Sequence, residues 1–256
     1  IDDTEITNPL DFTGKDLNIT YFVSYAPSLQ LNALQSVIDE CKLNLVSIIN
    51  EPYSLVKSID QQNYLYKNSL FIDIGDDLTN ISQISAGQII HVGSYQSGGR
   101  QFTNLLAENL SVSHAKAEQY KLDYCSELLS AETEKEFSQL FIPQAQIFLD
   151  NLNQYLSSQL TNFDINHIFI SGGSSLLPEI KHKIQSELPK QKYFSNIPEI
   201  HHFSPIEIED IVDKTGLIKD TTQITSVCLA KMGLNFSDQD SQFEKIVKKL
   251  MRTLRT

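Results

Sequence analysis

The chain has 256 residues, 41% of them hydrophobic, and its formal net charge is −12. This length allows one or two domains with a substantial core. The acidic charge argues against a nucleic acid partner, because phosphate backbones are bound by clustered Lys and Arg. The sequence has no apolar run of about 18 residues, so we predict no transmembrane helix within it.

Cysteine and histidine patterns indicate neither a disulfide framework nor a metal site. Cys41, Cys125 and Cys228 are far apart and lack CxxC spacing, so we interpret them as reduced core thiols of a cytosolic protein. The six histidines include no HExxH pattern. His201 and His202 are predicted to lie in a surface loop, because a zinc site needs several converging ligands.

The first third of the chain alternates predicted strands and helices. They are a strand at 18–25, a helix at 28–42, a strand at 44–49 and a helix from Pro52 towards Asp60. Apolar residues at three- and four-residue spacing identify the first helix, and proline is typical of the first turn of the second. This order predicts an α/β protein.

The remainder continues the α/β pattern. The predicted strands are at 69–75, 80–84, 88–92 and 167–171, and the predicted helices run through 105–110 and 117–121 and at 140–160, 177–188 and 221–233. A polar linker at 235–242 then leads to a basic segment at 243–256, whose apolar residues recur at helical spacing. Such a segment is typical of a helix that lies on an anionic membrane surface, although docking on protein is an alternative.

Two junctions between a strand and a turn contain chemically useful residues. At the first, an apolar strand ends in Asp73-Ile74-Gly75, and Thr79 follows. The glycine lets backbone N–H groups approach phosphate, the carboxylate can hold Mg²⁺ through water, and the hydroxyl can bond a phosphate oxygen. Taken alone, this motif favours a plain turn, because Asp and Gly are common turn residues.

The second junction combines an apolar strand, a double glycine and a helix start, in Ser171-Gly172-Gly173-Ser174. Free N–H groups at a helix start favour anionic or polar ligands. A tight connection without a ligand fits the pattern equally well.

The order of the motifs resembles the second half of actin-like ATPases, and within them the type IV pilus assembly protein PilM family and its relative FtsA. The shared order is a strand ending in DIG, a hairpin, Gly98-Gly99 before a helix, an AExxK helix, a long helix, and a strand ending in SGG. The resemblance covers residues 18–234. It implies an α/β, actin-like ATPase (ribonuclease H-like) fold that binds ATP and Mg²⁺.

The resemblance also assigns the site. Asp73, Gly75 and Thr79 correspond to the phosphate and metal side, and Asp73 would hold Mg²⁺ and position water. The residues that correspond to the helix-opening glycine pair and to the nucleoside side are Gly98, Gly99, Glu118, Lys121, Gly172, Gly173 and Ser174. Glu118 and Lys121 share a helix face, and from spacing alone a solvated ion pair is the simpler interpretation.

The resemblance begins partway through the family's pattern. It implies that residues 1–50 are a remnant of the inserted small subdomain, 51–68 the remaining helix of the first actin-like domain, and 69–234 the second actin-like domain. The family's N-terminal segment, with the first phosphate motif, is absent from the sequence. We therefore interpret the chain as a fragment or a processed product that on its own binds ATP weakly or not at all.

The first junction departs from the family's pattern. Asp77 and Leu78 stand where the family has Gly and Thr, which adds negative charge near the expected γ-phosphate. We expect nucleotide binding with at most weak hydrolysis.

The function implied is that of a cytoplasmic, peripheral adaptor at the inner membrane. Its expected partners are a membrane-anchored, PilN-like pilus assembly subunit, an anionic membrane surface reached by residues 243–256, and further copies of itself. One alternative is an FtsA-like protein with a cell-division partner, which the basic tail favours. Others are a sugar or acetate kinase and a scaffold that binds no nucleotide.

Overall fold

The computed structural model describes residues 2, 13–16, 18, 23–59, 67–160, 163–205, 208 and 211–235. Backbone contacts divide the chain into two units, one formed by Ile1–Ile48 with Gly233–Thr256 and the other by Ile49–Met232. The predicted boundaries at residues 50 and 68 stay predictions. So do the linker at 235–242 and the basic helix at 243–256, since residues 236–256 lie outside the described part.

The first unit contains one described helix, α1 (Ser28–Glu40), which buries none of its residues. It ends close to the predicted position, because Lys42 adopts a left-handed φ of 56° and the Leu43 N–H donates to the Ile38 carbonyl. The predicted strand at 44–49 is wrong, since these described residues form no strand. Residues 18 and 23–25 of the other predicted strand are likewise not in a strand, and 19–22 lie outside the described residues.

The second unit is built on a mixed sheet of five strands in the order β3-β2-β1-β4-β5. The strands are β1 (Ser69–Ile74), β2 (Thr79–Ser85), β3 (Gln88–Tyr95), β4 (His167–Ser171) and β5 (Glu199–His202). β2 lies antiparallel to β1 and β3, whereas β4 is parallel to both β1 and β5. The continuous apolar sequence of β1 follows from its central place, where both faces of the sheet are covered.

β5 was not predicted. His201 and His202 belong to this strand, so their prediction as a surface loop is wrong. The sequence Glu-Ile-His-His has little strand propensity, and its conformation is set by pairing with β4.

Among the described residues, six α-helices accompany the sheet. They are α2 (Glu51–Ser58), α3 (Gly99–Leu110), α4 (His114–Cys125), α5 (Ala131–Gln159), α6 (Pro178–Glu187) and α7 (Ile224–Asn235). α5 begins well before the predicted residue 140, because the Ser130 hydroxyl accepts from the Thr133 N–H and the first turns of the helix are polar. Within the described residues, no helix is both long enough and apolar enough to span a bilayer.

Alternation along β1 and β4 separates two cores. Leu70, Ile72 and Ile74 face a cluster supplied by α3, α4, α5 and α6. On the other face, Phe71 stacks on Phe169 with ring centroids 4.8 Å apart, and α2 and α7 cover both rings. Of the three cysteines only Cys228, on α7, is buried, so the prediction that all three are core thiols is wrong for the exposed Cys41.

Candidate functional site

The fold brings the two glycine-containing junctions together at the carboxyl ends of β1 and β4. These strands are adjacent and parallel, and Asp73 lies opposite Ser171. The Ser171 hydroxyl donates to Asp73 Oδ1 over 2.8 Å, and the Ser174 hydroxyl donates to the Gly75 carbonyl over 2.7 Å. Ligands of open α/β sheets collect at such an edge, so the two junctions form one candidate site.

Two glycines are required by close packing at this edge. Gly172 has a φ of 88°, and a Cβ there would overlap the main chain of Ile74. A Cβ on Gly98 would lie 2.5 Å from the carbonyl oxygens of Gly75 and Asp76. Gly173 differs, because its nearest neighbour to an added Cβ is Thr222 Cγ2 at 3.6 Å. An added Cβ on Gly173 would therefore make an ordinary van der Waals contact and no clash.

The start of α3 holds the first turn in place. The Gly99 N–H donates to the Gly75 carbonyl over 3.0 Å, and the Arg100 N–H donates to the Asp76 carbonyl over 2.9 Å. These are among the first N–H groups of a helix, which have no partner inside it. The turn thus satisfies them, and Gly98-Gly99 acts in this structure as the packing surface for Gly75 and Asp76.

Lys121 is buried and pairs with the partly exposed Glu118, so the interpretation as a solvated pair is wrong for the lysine. Lys121 is only 5% exposed. Its Nζ lies 2.8 Å from Glu118 Oε2 and donates to Thr103 Oγ1 over 2.9 Å. It also donates to the Gly99 carbonyl over 3.3 Å, and Ser174 adjoins the same glycine. Lys121 and Ser174, both assigned to the nucleoside side, therefore meet at Gly99.

Thr79 is positioned differently from the expectation of a phosphate contact. It is fully buried, and its hydroxyl donates to the Ser97 carbonyl over 2.8 Å. Binding phosphate through this hydroxyl would require that bond to be exchanged. The phosphate role of Thr79 stays a prediction.

Arg100 was not anticipated as a site residue. Its Nη2 lies 2.7 Å from Asp76 Oδ2, and its Nε lies 2.7 Å from Asp77 Oδ1. All three side chains are about half exposed, so the pairs are screened by solvent. The guanidinium offsets part of the negative charge that Asp77 brings to the turn. Its position in the first turn of α3, beside the double glycine, was the available sequence signal.

An open depression of about 510 Å³ lies beside the turn. Its lining includes Asp76, Asp77, Leu78, Gly98 and Arg100. It does not include Glu118, Lys121, Gly172 or Gly173. The depression thus adjoins the predicted phosphate side and leaves the predicted nucleoside side outside it.

Glu51 is a second residue that the sequence did not reveal. It opens α2, and its carboxylate accepts from Asn80 Nδ2 and from Thr225 Oγ1, each over 3.1 Å. Burial raises its pKa to about 7, helped by the charge of Asp73 and a hydrogen bond between the two carboxyl groups. A carboxyl group that titrates near neutrality can exchange a proton with water at the site.

The donor set at this point fits Mg²⁺. Asp73 and Glu51 offer carboxylate oxygens, which are the ligands that Mg²⁺ prefers. Glu51 was identified in the sequence only through Pro52, as a helix start. Its nearness to Asp73 depends on the packing of α2 against β1 and α7, which local sequence does not encode.

Comparison with known proteins supports this architecture. The chain matches the family described as type IV pilus assembly protein PilM over residues 39–234. Cell division protein FtsA from Agrobacterium fabrum is 28% identical over 133 residues, which are 51% of this chain and 30% of that protein. The chain therefore spans less than a third of the length of this relative.

Two solved structures share the fold. A PilM–PilN type IV pilus biogenesis complex superimposes with a TM-score of 0.63 at 15% identity, covering 80% of this chain and 58% of the other. MreB5 of Spiroplasma citri bound to ADP gives a TM-score of 0.54 at 18% identity, covering 90% and 69%. The matched range includes both glycine turns, every element from α2 to α6, and α7 except its last residue. The chain has the actin-like α/β fold and belongs to the type IV pilus assembly protein PilM family.

Proposed function

We propose that this chain supplies the ATP- and Mg²⁺-binding second domain of a PilM-like adaptor for type IV pilus assembly, which works on the cytoplasmic side of the inner membrane. Membership of the PilM family supports the role, and the related PilM–PilN complex supports a PilN-like partner. ATP state would set the conformation that the partner recognises.

The observation that carries the proposal is the joining of the two glycine turns through Ser171–Asp73 and Ser174–Gly75. A phosphate chain beside Gly75 would meet a turn whose shape is already fixed by four hydrogen bonds. The adenosine would lie beside Gly173, on the side of the polar groups of Ser174, Glu118 and Lys121.

Mg²⁺ would supply compensation for the phosphate charge, held by Asp73 directly or through water. The Ser171 hydroxyl orients the Asp73 carboxylate, and Glu51 accepts or returns a proton because its pKa lies at about 7. Asp76 and Asp77 leave one net negative charge after pairing with Arg100. That charge and the side chain of Leu78 limit the proposed hydrolysis to a slow rate.

Calorimetric titration of the natural full-length protein with ATP and Mg²⁺ tests the nucleotide role. Gly173→Val should reduce ATP affinity at least about tenfold, since its side chain would occupy the adenosine position, while its Cβ makes only an ordinary van der Waals contact with Thr222. Gly233→Val is the control, because a Cβ there meets nothing within 4 Å. Equal ATP affinity for wild type and Gly173→Val would refute the site.

The partner is tested by co-purification with the PilN-like protein of the same organism, with and without ATP and Mg²⁺. We expect nucleotide-dependent recovery that Gly173→Val abolishes.

The FtsA similarity supports a second candidate, a cell-division tether. Depletion of the protein separates the two, because loss of surface pili supports the pilus role and long undivided cells support the division role.

A further inference from the structure

Three potential metal ligands meet at the end of the sheet away from the glycine turns. His167 is the first residue of β4, and Glu199 is the first residue of β5. The parallel pairing sets His167 opposite Glu199 and Phe169 opposite His201. Because side chains alternate along a strand, His167, Glu199 and His201 project from the same face.

The three ligand atoms are spaced as a bound ion requires. His167 Nδ1 and His201 Nε2 are 3.0 Å apart. Glu199 Oε2 lies 3.8 Å from the first and 3.7 Å from the second. The centre of this triangle is roughly 2.1 Å from each corner, which is the length of a zinc bond to imidazole nitrogen or carboxylate oxygen. An ion therefore fits without movement of the backbone.

The surroundings fix the ligands in place. The His201 ring stacks on Phe169 at 5.0 Å, and Phe169 stacks in turn on Phe71. The Glu199 N–H donates to the Asn166 carbonyl over 2.9 Å, which sets the register of β5 at the site. Orientation by neighbouring groups and an apolar surround both strengthen metal sites.

The cluster is enclosed at one side and open to water at the other, which leaves room for a fourth ligand. The side chains of His167, His201 and Glu199 are 11%, 30% and 74% exposed. The imidazole side is thus enclosed and the carboxylate side is open to water. Three protein ligands with one open position are typical of zinc sites that retain a water molecule.

Without an ion, a single hydrogen bond joins the rings of His167 and His201. At 3.0 Å one ring nitrogen must donate and the other accept, because two facing N–H groups would repel. A divalent ion would take the place of that hydrogen bond, because the donor ring can carry its proton on its other nitrogen, and the ion would also offset the charge of Glu199.

We propose that His167, Glu199 and His201 bind one divalent late transition-metal ion of the zinc class, with water as fourth ligand, and that this ion fastens β5 to β4. β5 has four residues, and in the described sheet it pairs with β4 alone. A bond from both strands to one ion would strengthen this edge. The site is separate from the proposed nucleotide site, so either can fail without the other.

The test uses the full chain, freed of metal by chelation and titrated with ZnCl₂ in a calorimeter. We expect one ion per chain, and Co²⁺ should give the visible absorption of a four-coordinate ion. His201→Gln should weaken Zn²⁺ binding at least about tenfold. Glu199→Gln is the second variant, because its exposed side chain can be changed without loss of folding.

His202→Gln is the matched control, since His202 lies on the other face of β5 and contacts Gln185. Zn²⁺ should raise the Tm of wild type and of His202→Gln, and leave that of Glu199→Gln unchanged. The proposal is overturned if wild type binds no Zn²⁺. It is also overturned if His201→Gln and His202→Gln bind the ion equally.

Discussion

Arg100 partly offsets the negative charge of Asp76 and Asp77 in the turn after β1. The sequence places the negative charge of Asp77 near the expected γ-phosphate, and in the structure both Asp76 and Asp77 pair with one guanidinium. These pairs are exposed, so solvent screens them. The departure from the family's Gly and Thr is therefore reduced in its electrostatic effect, while the missing hydroxyl at position 78 is not replaced.

Restoring the family's residues should strengthen ATP binding. We expect Asp77→Gly with Leu78→Thr to raise ATP affinity or turnover about 3- to 10-fold, because a carboxylate is removed beside the phosphate position, Arg100 keeps only Asp76 as an acidic partner, and a hydroxyl donor is added. Asp77→Asn is the control, since it removes the charge and adds no hydroxyl. An unchanged dissociation constant and rate in the double variant would show that the departure is incidental.

Glu51 should make stability depend on pH. Its pKa is about 7 in the folded chain and 4.5 ordinarily, so between these values the folded state binds the proton more tightly. The free energy of unfolding should therefore decline as pH rises from 4.5 to about 7, and this contribution should then level off.

Glu51→Gln removes the titrating group. We expect the variant to match wild type near pH 4.5 and to be more stable at pH 8, as measured by urea unfolding across this range. Glu108→Gln, an exposed change on α3, should retain the decline of wild type. The same decline in Glu51→Gln would mean that another group causes it.

Residues with a local signal were the ones that could be predicted. Gly75, Gly98 and Gly172 belong to short motifs whose backbone requirements are visible in the sequence, and the structure brings them together. Glu51 has a partner in Thr225, 174 positions away. Arg100 pairs with Asp76 and Asp77, which precede it by more than 20 positions. The residues next to Glu51 and Arg100 in the sequence therefore do not show the contacts that these two side chains make.

Among the secondary-structure elements, α5 contains an internal defect. Pro143 lies in the middle of this 29-residue helix and cannot donate to the carbonyl of Gln139. The side chain is exposed, so replacing it disturbs no core contact. The helix persists because Phe141, Ala145 and Phe148 on its buried face are fully enclosed.

Pro143→Ala should stabilise the protein. Proline lacks one backbone hydrogen bond of the helix and has a low helix propensity, which together destabilise the folded state by up to about 3 kcal/mol. Proline also restricts the unfolded chain, which offsets about 1 kcal/mol of this loss. We expect the free energy of unfolding to rise by about 1–2 kcal/mol in urea titrations. Gln139→Ala, also exposed on α5, should change it by less than about 0.5 kcal/mol. A loss of stability in Pro143→Ala would contradict this prediction.

Elements were predicted well where their own sequence decides their state. β1 and β4 are apolar runs of strand length, and α4 begins at the predicted cap, where the Ser113 hydroxyl accepts from the Lys116 N–H. The apolar residues Leu45, Val46 and Ile48 favoured a strand, yet they are exposed. β5 shows the opposite error. For residues 44–49 and for β5, the conformation depends on whether a neighbouring strand pairs with the segment, and the local sequence does not show this.

For the whole molecule, charge is divided unevenly along the chain. Residues 243–256 carry five basic and one acidic side chain, a net of +4, and the remainder carries −16. This segment lies outside the described residues, so its amphipathic helix stays a prediction. If it forms, each basic residue contributes about 1 kcal/mol near an anionic membrane surface.

Liposome co-sedimentation tests the membrane role of this segment. We expect binding to vesicles with anionic lipid, weaker binding at high salt, and loss of binding in Leu250→Glu, because the apolar face would then carry a charge. Lys190→Glu removes a positive charge elsewhere and is the control. Equal binding to neutral vesicles would contradict the prediction.

The hydrogen bonds that join the two glycine turns also have a consequence for folding during biosynthesis. The bond from Ser171 to Asp73 joins residues 98 positions apart. At roughly 5–20 residues per second, β1 therefore waits roughly 5–20 s on the ribosome before β4 can pair with it. During that time the Leu70-Phe71-Ile72 edge is open to other nascent chains. Nucleotide offers no protection in this interval, because the turn that would hold it is completed only when β4 arrives.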